Sequence, residues 1–93
     1  MTIRTRVGDT FVVELEGNPT TGYVWEPEAH DSVEFIGREV IPSGSGIGAG
    51  ARERLSFRSR AAGAFTLNVR HKRPWEPSAL ETRAVSVSVS AGD

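Results

Sequence analysis

Leu55-Ser56-Phe57-Arg58 and Phe65-Thr66-Leu67-Asn68-Val69-Arg70, linked through Ala61-Ala62-Gly63-Ala64, decide the fold class of this chain. In both runs an apolar side chain recurs at every second position, with a polar one between. Successive side chains of a strand point to opposite faces, so this period describes one buried face and one wet face. The small-residue link reads as the turn of a hairpin joining Arg52–Ser59 to Phe65–Arg70. Outward from this pair the same period recurs twice. Phe11, Val13 and Leu15 alternate with Val12, Glu14 and Glu16, and Val85, Val87 and Val89 alternate with Ser86, Ser88 and Ser90. Weaker strand patterns cover Ile3–Val7, Tyr23–Glu26 and Val33–Ile41, the last with Gly37 as a bulge. No stretch carries a helical period, and Pro77–Glu81 has room for one helical turn at most.

About seven short strands with turns every ~10 residues predict an all-β, antiparallel sandwich. Ten glycines and five prolines agree with many turns. Trp25 falls early in a middle strand, where immunoglobulin domains bury a tryptophan, but no disulfide accompanies it. The 93 residues show no repeat, linker or low-complexity tract, so residues 1–93 read as a single domain.

Having no cysteine, the chain has no thiol nucleophile, no disulfide and no Cys-type zinc site. His30 and His71 are too few for a metal site, and no spacing suggests a triad, so no catalytic residue, metal or cofactor is assigned. Both histidines are expected at the surface. The net charge is −1, unevenly distributed. Residues 1–50 carry eight acidic side chains against Arg4, Arg6 and Arg38. Residues 51–73 carry Arg52, Arg54, Arg58, Arg60, Arg70, Lys72 and Arg73 against Glu53 alone. A basic stripe of this kind could hold phosphate, but with a balanced total it reads as a solvated sheet face met by neighbours such as Glu14 and Glu16. No nucleic-acid partner is assigned. No apolar run reaches the ~18 residues of a membrane span, and no charged segment precedes an apolar one at Met1. An intracellular protein and the mature form of an exported one both fit.

Three stretches between strands stand out. Asn18-Pro19-Thr20-Thr21-Gly22-Tyr23 brackets two β-branched residues with a Pro that fixes φ and a Gly free to take φ > 0. An ordinary turn explains Asn18 and Gly22, but not two threonines at the tip. Gly44-Ser45-Gly46-Ile47-Gly48-Ala49-Gly50 comes close to a GxGxxG spacing, yet no helix follows it and no βαβ unit fits, which excludes a dinucleotide site. Its glycines leave backbone groups open to another chain, and Ile47 is the large apolar side chain within it. Arg73-Pro74-Trp75 sets an aromatic and a cation on a stiff turn. Such residues dominate binding hot spots, although Trp75 could also fold back over the sandwich.

In this order, NPTTGY with Trp25 behind it, the Gly48-Ala49-Gly50 core and RPW with Glu76-Pro77-Ser78 behind it resemble the chagasin family, which inhibits papain-like cysteine peptidases. The resemblance extends over nearly the whole chain. It implies an immunoglobulin-like β-sandwich with the three loops at one end, and a papain-like cysteine peptidase as partner. Asn18, Pro19, Thr20, Thr21, Gly22 and Tyr23 would enter the catalytic cleft. Ile47, Gly48, Ala49 and Gly50 would lie along one side of it, and Arg73, Pro74 and Trp75 along the other. The free protein is expected to be a monomer. A non-inhibitory immunoglobulin-like adhesion or accessory module is the alternative from the same scaffold. A cystatin is disfavoured, because that fold needs a long helix.

Overall fold

The computed structural model describes residues 1–17, 22–42 and 51–91, with Pro42 described by its backbone alone. Seven strands follow in chain order: β1 (Thr2–Arg6), β2 (Thr10–Gly17), β3 (Val24–Pro27), β4 (Val33–Pro42), β5 (Ala51–Ser59), β6 (Gly63–Lys72) and β7 (Glu81–Ser90). They form two sheets, ordered β1-β7-β6-β3 and β2-β5-β4. No helix occurs among the described residues.

Alternation places the core as expected. Phe11, Val13, Leu15, Val33, Leu55 and Phe57 of one sheet are buried against Trp25, Leu67, Val69, Val85, Val87 and Val89 of the other. Phe11 stacks on Phe57 with ring centroids 5.3 Å apart. Phe65 is only half-buried at the margin. The outward faces carry the charges. Glu14 lies 4.0 Å from Arg52 and 3.7 Å from Arg54, which also approaches Glu39, and Arg60 approaches Glu34 at 3.8 Å. The arginines of the basic stretch are thus interleaved with carboxylates, as a solvated face requires.

Three features differ from the sequence reading. β5 and β6 are not a hairpin, because they belong to opposite sheets. Residues 60–62 carry the chain across the core, and Gly63 restarts the strand at φ +135°. Either arrangement buries both apolar faces, so alternation alone does not distinguish them. Second, β1 pairs with β7 in parallel, through Thr2↔Ser86 to Arg6↔Ser90, in an otherwise antiparallel fold. Third, the histidines are not surface residues. His30 is half-buried and stacks on Phe65 at 4.2 Å. The His71 side chain is only 12% exposed and stacks flat on Trp25 at 4.3 Å. An imidazole has two flat apolar faces, and next to a core aromatic those faces are covered. In β4 the register shifts between Phe35 and Gly37, so the bulge is adjacent to the glycine.

Candidate functional site

The strand registers bring three connections to one end of the sandwich. Gly17, the last residue of β2, and Pro42, the last of β4, both pair with Ala51, the first of β5. In the other sheet Val24 opens β3 opposite Lys72, which closes β6, and Glu81 opens β7 opposite His71. Residues 18–23, 43–50 and 73–80 therefore leave from strand ends on the same side. Asn18, Pro19, Thr20, Thr21, Ile47, Gly48, Ala49 and Gly50 lie outside the described residues. Gly22, Tyr23, Arg73, Pro74 and Trp75 lie within them and are brought together.

Gly22 has φ +88°, a left-handed conformation that only glycine adopts at no steric cost. A Cβ there would also come within 3.0 Å of Trp75 Cη2 and 3.7 Å of Arg73 Cγ. The connection after β2 thus closes directly against the one after β6. The Arg73 guanidinium stands 4.6 Å above the centre of the Tyr23 ring, within cation–π range, and its Nη1 lies 3.5 Å from Glu76 Oε1. A backbone bond from Glu76 N–H to the Arg73 carbonyl (3.0 Å) tightens the turn around Pro74 and Trp75. Leu80 N–H to the His71 carbonyl (2.7 Å) fixes the return into β7. Trp75 leaves 71% of its surface to solvent, while Trp25 leaves 1%.

Under this exposed layer the packing continues into the core. Tyr23 sits 5.5 Å from His71, His71 stacks on Trp25, and Arg83 lies 5.5 Å from the centre of the Trp25 ring. Neither ring nitrogen of His71 has a hydrogen-bond partner, and Nδ1 is 3.9 Å from Glu81 Oε1. His71 therefore acts through its ring faces, as a spacer between Tyr23 and Trp25. Sequence reasoning missed this role, although its position two residues before Arg73 was visible.

Glu53 was also missed. It is fully buried and accepts the Trp25 backbone N–H. Extending the Leu55–Phe57 alternation back by one step places Glu53 on the core face, although a carboxylate between Arg52 and Arg54 suggests a solvated position. Among the described residues no group of three or more His, Asp or Glu side chains could hold a metal ion. A depression of about 370 Å³ lined by Pro27, His30, Phe35 and Arg60, among others, lies at the opposite end of the sandwich.

A β-sandwich that gathers three inter-strand connections at one end, with a stiff turn holding an exposed Trp and a paired Arg, is a loop-presenting recognition module. The chain belongs to the chagasin family: the model described as "Chagasin family peptidase inhibitor I42" matches residues 4–89. It is similar to Chagasin of Trypanosoma cruzi, 28% identical over 97 aligned positions that cover 97% of this chain and 88% of that protein. Amoebiasin-1 of Entamoeba histolytica is 30% identical over 84% of this chain and 78% of its own. In structure the chain is similar to the cysteine protease inhibitor EhICP2 of Entamoeba histolytica, with a TM-score of 0.76 at 22% identity over 96% of this chain and 86% of that one. At that identity the likeness speaks for the fold.

Proposed function

We propose that this protein inhibits papain-like cysteine peptidases reversibly and without covalent chemistry, by filling the active-site cleft with one end of its sandwich. Thr20 and Thr21, between Asn18-Pro19 and Gly22-Tyr23, occupy the catalytic centre. Ile47-Gly48-Ala49-Gly50 lies along one side of the cleft and Arg73-Pro74-Trp75 along the other. The observation that carries this reading is the convergence of the three connections on one end, where Trp75 is exposed and closes on Gly22. Membership of a peptidase-inhibitor family supports the target class. A chain without cysteine cannot form a mixed disulfide with the peptidase thiolate. Pro19 and Pro74 fix φ in their turns and so reduce the entropy lost on docking. The complex buries an interface of ordinary size, about 1,600 Å² in total, and the free inhibitor is a monomer.

Inhibition of papain by the parent chain, Thr21→Arg and Gly22→Val tests the reading. The parent should inhibit, and both variants should weaken inhibition by about tenfold or more while still melting cooperatively. Undiminished inhibition by both variants would rule out the wedge.

A further inference from the structure

Glu53 is a charged residue with no exposed surface, 0%. Its carboxylate accepts the Trp25 N–H at 3.2 Å to Oε1 and 3.3 Å to Oε2, and Arg38 Nε stands 3.2 Å from Oε1. Arg38 Nη2 in turn donates to the Trp25 carbonyl. β3 is the edge of its sheet, where N–H and C=O groups have no neighbouring strand. Two side chains from the opposite sheet supply what a neighbouring strand would. The Trp25 indole Nε1–H closes the circuit on the Glu16 carbonyl at 3.0 Å. At Gly17, a Cβ would come within 3.3 Å of Glu53 Oε2 and 3.5 Å of Trp25 Nε1.

These contacts have a particular placement. Gly17 is the last residue before the 18–23 connection, and Trp25 follows it by one strand residue. Arg38 is on β4, which leads into the 43–50 connection, and Glu53 is in the first turn of pleat after it. One carboxylate thus touches or binds elements on both sides of two connections. As a source of stability such a pair is a poor choice, because taking the Glu53 carboxylate out of water cancels much of its attraction to Arg38, whose side chain stays 32% exposed. What it supplies instead is direction, since hydrogen bonds fix angles that apolar packing leaves loose.

We propose that the pair of buried Glu53 with partly exposed Arg38 is a positioning device that holds the stems of the 18–23 and 43–50 connections in one fixed relation, so that both engage a single cleft. It rests on the inhibitory reading above for its functional consequence, but its structural half stands alone.

Two variants test it. Glu53→Gln keeps the shape and a carbonyl for the Trp25 N–H but loses the charge that holds Arg38. Arg38→Gln, at a partly exposed position on β4, removes the other partner and serves if the first variant fails to fold. Val89→Ala, in the core opposite Gly63 at the far end of the sandwich, is the control for general destabilisation. All are assayed against papain well below their melting temperatures, and their 1H–15N spectra are recorded free. Expected is a rise in inhibition constant of about tenfold over Val89→Ala at comparable loss of Tm, with shifts at the Gly17, Tyr23 and Ala51 amides and the Trp25 indole N–H. Inhibition equal to the control at comparable Tm would overturn the positioning role. Should the parent chain leave papain active, the inhibitory reading falls; the device is then judged by the spectra, and unmoved Gly17, Tyr23 and Ala51 amides would overturn it.

Discussion

Trp25 is fastened through its backbone N–H to Glu53, through its carbonyl to Arg38 and through its indole N–H to Glu16. Trp75 has most of its ring in water, with Gly22 beneath it. The two substitutions to alanine should therefore separate cleanly. Trp25→Ala should cost roughly 3–5 kcal/mol in urea unfolding, since it opens a large cavity and leaves the Glu16 carbonyl without its indole partner. Trp75→Ala should leave unfolding almost unchanged and weaken peptidase binding by about 2 kcal/mol or more. Acrylamide quenching of single-Trp forms checks the same division: a shielded Trp75 in the free protein would contradict it. That contrast was legible in the sequence, because Trp25 lies within a strand pattern and Trp75 follows Arg-Pro in a turn. The burial of His71 was not, because a histidine's neighbours across the sheet, Trp25 in this case, are set by register rather than by local pattern.

Among the elements, the connection from β6 to β7 is tied at several points along its length. Arg73 bonds within the turn, Arg70 Nη2 donates to the Pro77 carbonyl at 3.0 Å, and Leu80 closes on His71. Pro74 adds stiffness that no contact reports, by narrowing the conformations of the free chain. Pro74→Ala should weaken inhibition by about two- to fivefold, the equivalent of 0.4–1 kcal/mol, with the loss read in the inhibition constant. No change would place the stiffness elsewhere. Four strands, β2, β5, β6 and β7, were legible from a two-residue period together with the face each buries, while β1, β3 and β4 showed as weaker patterns with no face assigned. Their partners were less so. Val85-Ser86-Val87 announces a strand but not that β1 will lie parallel to it, and Leu55 and Leu67 announce core faces without saying that they meet across the sandwich rather than within one sheet. Period fixes the face, whereas edge pairing depends on contacts distant in sequence.

For the molecule as a whole, a thin core is flanked by balanced outer charges, and the proposed function assigns recognition to one end. Gly17, Pro42 and Ala51 in one sheet and Val24, Lys72 and Glu81 in the other set that end, whichever residues the connections hold. Under the proposed occlusion of the cleft the protein should bind the peptidase without becoming its substrate. The most direct measurement is titration of active papain with the parent chain, followed by mass spectrometry of the mixture after prolonged incubation. Activity should fall linearly to near zero at one inhibitor per active site, competitively with substrate, and the inhibitor's mass should remain unchanged. Stoichiometric cleavage between Asn18 and Tyr23, or activity persisting in excess inhibitor, would contradict occlusion of the cleft.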